Sequence, residues 1–174
     1  MNWFWYFVVY SFLGFLLEVG FALLTGGQRD RKGLLLLPLC PVYGLGACAI
    51  LWLADLGGTA PVWVMVSGAL AATGVEYLMA VCYERWLGVS FWDYRQLPGN
   101  IHGRVCLPFT AAWGLLSLVL VYAIHPRIGV WPEGIPRPVS LWAMALVAAD
   151  TAAACVMMRR TGSRECLRWY RRPV

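Results

Sequence analysis

Residues 3–25 read WFWYFVVYSFLGFLLEVGFALLT. At about 1.5 Å of helical rise per residue, this apolar run is long enough to cross a hydrocarbon layer about 30 Å thick. One residue interrupts it. Glu18 places a carboxyl group where a charge at the bilayer centre costs about 2.5–3.5 kcal/mol on insertion scales, so its presence signals a partner or a task. Glu76 and Asp150 repeat the anomaly in two further apolar runs. No basic segment precedes the first run and no small-residue cleavage site follows it, so it is read as a mature helix and not as a cleaved leader.

Working outward, 60% of the 174 residues are hydrophobic and 13% are charged, against about a quarter charged in soluble domains. That balance excludes an ordinary soluble domain and predicts an all-α, polytopic transmembrane bundle. Glycine, proline and charge punctuate five runs, at 3–25, 38–56, 61–83, 105–124 and 139–158. Together they make one transmembrane domain over 1–158, followed by a basic cytoplasmic tail over 159–174. The stretch 84–104 is too polar to span.

The net charge of +5 is read as a topology signal and not as a nucleic-acid footprint. Arg29, Arg31, Lys32, Arg85, Arg95, Arg104, Arg159, Arg160, Arg164, Arg168, Arg171 and Arg172 fall on one side of the five spans, leaving Arg127 and Arg137 on the other. Basic residues near span ends are retained in the cytoplasm. The N-terminus is therefore expected outside and the C-terminus inside, in a multi-pass protein of the cytoplasmic membrane. Glu18 and Glu76 then lie at similar depth in the inner half.

Ser11, Gly14 and Glu18 share one helix face at i, i+3 and i+7, which predicts an inward face that another helix approaches closely. A polar cavity for a solute, an ion or a proton is one reading. A structural Glu–Arg clamp that locks the helices is the other. Arg104, at the start of the fourth span, could snorkel to lipid phosphate or turn inward to these acids. The segment WDYRQLPGNIHGR, residues 92–104, mixes rings, charge and turn formers. Such irregular backbone is tolerated near membrane depth where protein or water satisfies it, so a re-entrant or cavity-lining loop carrying Asp93, Tyr94 and Asn100 is expected. Two prolines and two glycines around Tyr43 open the second span as a broken helix start. The stripe Ala145, Ala149, Ala153 is read as a packing face.

Several chemistries have no sequence support. There is no phosphate-binding loop of the G-x-x-x-x-G-K-[ST] type, no H-E-x-x-H and no G-x-S-x-G. The six cysteines form no C-x-x-C pair, so neither a zinc site nor a disulfide framework is expected. No cofactor is implied.

The ordered motifs YSFLG (10–14) with Glu18, PLCPVYG (38–44), Glu76-Tyr77, WDY (92–94), PGNIHGRVC (98–106) and Trp113-Gly114 resemble the type IV ABC-transporter permease, or CmpB-like, family of small membrane proteins. Phe15, Leu37 and Arg95 depart from its pattern, at the edges of the motifs. The resemblance implies a polytopic, permease-like protein.

The function expected is a membrane permease with a polar site of Glu18, Glu76, Arg104, Asp93, Tyr94, Asn100, Tyr43 and Ser11, binding or translocating a small solute or ion. Membrane lipids, further copies of the chain or a partner membrane protein, and a separate ATPase subunit are the partners this implies. Two alternatives stay open: a membrane-embedded enzyme acting on a lipid-soluble or phosphate-bearing substrate, and a scaffold with buried charge pairs.

Overall fold

A computed structural model describes residues 1–25 and 35–167. Arg29, Arg31, Lys32, Arg168, Arg171 and Arg172, which bear on the orientation, lie outside the described residues, as does the end of the basic tail. The described chain is helical: α1 (Asn2–Leu24), α2 (Pro41–Gly57), α3 (Pro61–Cys82), α4 (Leu107–Leu118), a one-turn α5 (His125–Ile128) and α6 (Arg137–Thr161). A π-helical turn, Tyr83–Leu87, prolongs α3, and another, Val119–Ile124, joins α4 to α5. These columns match the five expected runs. Four are long and apolar enough to span a membrane, and α2 is a shorter apolar helix of 17 residues.

Proline sets the starts. Pro41 and Pro61 open α2 and α3, and α4 and α6 also carry proline in their first turn, where the missing N–H would have had no helical acceptor. The expected second span therefore begins three residues late, since Leu35–Cys40 precede the helix as irregular backbone. Asp150 on α6 holds this segment, accepting the Leu37 amide at 3.2 Å. That bond gives the third intramembrane acid a structural task.

Helices α1, α2, α3 and α4 pack in sequence, each on the next. Missing side chains bring them close. A Cβ on Gly14 would overlap Tyr43, one on Gly44 would overlap Ser11 Oγ, and one on Gly68 would overlap Ser117 Oγ. Close approach through small residues supplies the dispersion contacts that hold helices together where lipid removes the hydrophobic drive. Helix α6 is peripheral. It buries Ser140, Ala154 and Met158, with Ser140 Oγ taking the Trp5 indole N–H at 2.9 Å. Ala145, Ala149 and Ala153 face outward from the bundle.

Two cores result. One gathers Leu35, Leu39, Tyr83, Val89, Phe91, Ala154 and Met158 at the end of the bundle nearest the 88–106 loop, called the inner end below. The other, around Tyr10, Ala47, Ile50, Ala72, Trp113 and Leu120, runs along the middle and outer parts. The site lies between them.

Candidate functional site

Glu18 comes from the inner half of α1, and Gly14, one turn earlier, leaves the space that Tyr43 of α2 fills. The Tyr43 hydroxyl then donates to Glu18 Oε1 at 2.7 Å. The broken start of α2 makes this contact, because the Cys40 amide bonds the Ser11 carbonyl at 2.9 Å and pins the chain against α1 just before Tyr43.

Glu76 lies opposite, on α3, and is only 6% exposed. Tyr94 Oη donates to its Oε1 at 3.0 Å and Trp113 Nε1 to its Oε2 at 3.1 Å. Both donors are neutral, and no ion pair involves Glu76 among the described residues. Burial, with Glu76 alongside, raises the Tyr94 phenol far above its ordinary range, so it stays a donor at any working pH.

Tyr94 reaches this position because the loop carrying it is stitched from within. The Tyr94 amide bonds the Gly103 carbonyl at 2.7 Å, and Ile101 bridges to Val105. Asn100 ties the turn, its Nδ2 donating to the Arg95 and Leu97 carbonyls at 3.1 and 3.0 Å and its Oδ1 accepting the Gly103 amide at 3.3 Å. Gly103 sits at φ 71 and His102 at φ 54, a left-handed pair that reverses the chain; at 103 that backbone favours glycine. The Tyr94 ring stacks on Phe109 at 4.8 Å. Trp92 is fixed beside it by donating to the Arg104 carbonyl at 2.7 Å.

Between the two acids is a chamber of about 220 Å³, walled by Tyr43, Trp92, Tyr94, Phe109 and Trp113, with Cys40 at its edge. Of the residues expected from sequence, Glu18, Glu76, Tyr43 and Tyr94 meet here. Ser11 does not line it. It is fully buried against Gly44 at the α1–α2 contact, and its hydroxyl has no hydrogen-bond partner among the described residues. Asn100 organises the loop from outside. Asp93 is on the exposed side, paired with Arg95 at 2.6 Å, and that guanidinium holds its carboxyl below the usual range.

Arg104 also stays out of the chamber. Its guanidinium pairs with Glu84 at 2.6 Å, donates to the Tyr77 hydroxyl at 3.1 Å and sits 5.3 Å from the centre of that ring. The Glu84 carboxylate raises the arginine above its normal range. The sequence-based choice for Arg104, lipid phosphate or the two buried acids, omitted this nearer partner. Glu84 lies on the π-turn that prolongs α3, which turns it toward the loop.

Trp92, Phe109 and Trp113 were not singled out as site residues from sequence. For Trp113 a signal existed: an indole N–H within an apolar span needs an acceptor, and a buried acid is the natural one. No group of three or more metal-ligating side chains occurs among the described residues.

The chamber-lining residues fall within a longer matched region. The family model described as "Putative ABC-transporter type IV" matches residues 5–157. No curated protein and no solved structure matches the chain. With its row of apolar helices and a match over most of its length, the chain is a multi-pass membrane protein that belongs to this ABC-transporter type IV family.

Proposed function

We propose that this chain is the membrane-spanning component of a transport system and that it takes a small cationic solute into the chamber between Glu18 and Glu76. The observation that carries this reading is the coordination of Glu76. A carboxyl group held by a phenol and an indole, both neutral, is fixed in direction yet still able to answer a cation. The surrounding rings add to the attraction, since a cation within about 6 Å of an aromatic face gains roughly 0.5–2 kcal/mol. Arg104 is engaged by Glu84 and does not line the chamber.

The orientation expected from the charge distribution puts the chamber in the cytoplasmic half of the membrane. The sequence has no phosphate-binding loop, so a separate ATPase subunit would supply any nucleotide-driven step. The test is calorimetric titration of methylammonium and tetramethylammonium into purified protein in nanodiscs. Glu76→Gln keeps the volume and the hydrogen-bonding capacity and is expected to weaken binding by at least about tenfold, with acetate binding to neither protein. Equal affinity in the wild type and Glu76→Gln would overturn the reading.

A further inference from the structure

The chamber does not end at its aromatic wall. A second cavity, of about 90 Å³, shares Leu17, Tyr43, Trp113 and Leu116 with it and continues toward the outer end of the bundle. This extension is apolar. Leu13 of α1, Ala47 and Ile50 of α2, and Leu120 and Ile124 beyond α4 form its sides.

The cleft exists because α1 packs on α2 while α4 packs on α3, so the two outer columns of the row flank an open seam. At the outer end the seam is closed. Tyr10 Oη meets His125 Nδ1 at 2.7 Å, Tyr6 donates to the Gly129 carbonyl at 2.8 Å, and the Tyr6 and His125 rings meet edge to face. At the inner end Trp92 and Tyr94 cover it. Where it joins the chamber it faces the surroundings of the bundle, with Leu17, shared by both cavities, 42% exposed on the α1 rim. In a membrane those surroundings are lipid.

We propose that the site admits its ligand sideways from the bilayer, and that the ligand is a single-chain amphiphile with a cationic amine head: the head in the chamber beside Glu18 and Glu76, the chain along the Leu13–Leu120 seam. This rests on the proposed cation site and extends it to a substrate class. Charge selects the head, because a phosphate or sulfonate would stand beside Glu76, a carboxyl group whose described donors, Tyr94 and Trp113, are neutral. Shape selects the tail. From Glu18 to Tyr10 α1 rises about 12 Å, room for a chain of about ten carbons, and the Tyr10–His125 closure sets its limit.

The experiment uses a ten-carbon primary amine with a photoreactive diazirine at the tail end, irradiated with the protein in phosphatidylcholine–phosphatidylglycerol nanodiscs, and adducts mapped by mass spectrometry. Adducts are expected at Leu13, Ile50, Leu120 or Ile124, suppressed by excess butylammonium and reduced at least about tenfold in Glu76→Gln. Ala47→Trp, which fills the seam away from both acids, is expected to abolish labelling while leaving methylammonium binding intact. That variant separates the two proposals. If methylammonium binds but the tail labels only outward residues such as Leu70 and Leu146, the amphiphile is refuted and the cation site stands. If methylammonium binding also fails, both fall. Equal seam labelling by a ten-carbon sulfonate, or full suppression by phosphatidylethanolamine, would make the seam an ordinary lipid groove and overturn the selection by an amine head.

Discussion

Glu76 and Glu84 stand on the same helical column, eight positions apart, and the molecule uses them in opposite ways. Glu76 is deeply buried and bonded by Tyr94 and Trp113. Glu84, at the edge of the bundle, is bonded by Arg104, and both side chains retain part of their exposure, 34% and 24%. The pair at the edge is complete in itself, because opposite charges in contact leave little field for a third ion. The buried acid has its geometry fixed by groups that bring no charge. On the proposed reading, what separates a clamp from a binding group in this chain is the charge of the donor and not the depth of the acid.

The sharpest way to break this comparison is to move a charge across it. Trp113→Arg would place a guanidinium in the chamber and is expected to abolish amine binding altogether, whereas Glu84→Gln should leave binding within about twofold; calorimetry in nanodiscs reads both. If Glu84→Gln weakened amine binding as much as Glu76→Gln, the division between the two acids would be wrong.

A smaller effect is expected from the donors. Tyr94→Phe keeps the stack on Phe109 and removes one of the two bonds to Glu76, at a cost of about 1–3 kcal/mol when a buried acceptor loses its donor, read as a lower Tm together with weaker amine binding. Tyr77→Phe, its counterpart at Arg104, should leave amine binding unchanged. A similar loss of binding in the two variants would show that the loop, and not the local bond, controls affinity.

Helix contacts give a separate scale. Gly44→Ala drives a methyl group into Ser11 Oγ and the Phe7 carbonyl, and overpacking of this kind costs about 1–3 kcal/mol. Gly74→Ala, where the added Cβ meets nothing within 4 Å, should be neutral or slightly stabilising. Thermal unfolding in one detergent orders the two, and an equal Tm would contradict the close α1–α2 contact that presents Tyr43 to Glu18.

The smallest effect belongs to the exposed pair. Asp93→Asn breaks the contact with Arg95, whose side chain is 78% exposed, and such pairs contribute little once water screens them. No measurable change in Tm or in amine binding is expected. A clear loss would mean that the pair positions Tyr94, its neighbour in sequence.

Much of the architecture follows from the order of residues alone. A run such as 3–25 has too much apolar surface for water and must satisfy its backbone internally in lipid, which leaves the helix as its form. The proline starts, the five columns and an irregular segment between the third and fourth follow in the same way, read at 84–104 and found at 88–106 because a π-turn prolongs α3, as does the inward face of Ser11, Gly14 and Glu18, since helical spacing is local. The meeting of Glu18, Tyr43, Glu76 and Tyr94 in one chamber could be expected in outline from depth and direction. Which donor reaches which acid could not. For Arg104 the sequence offers lipid phosphate, Glu18 and Glu76, and the fold pairs it instead with Glu84 on the π-turn at Tyr83–Leu87. Asp150 reads from sequence as a further acid in an apolar run, and only the fold shows the Leu37 amide that it accepts. The apolar seam has no signature in any single helix, because it is the space left where α1 and α4 pack on different neighbours. Sequence determined what each segment must be in lipid, a matter of local composition and backbone bonding; tertiary structure decided which charges meet and where space remains, because both depend on the relative placement of helices distant in the chain.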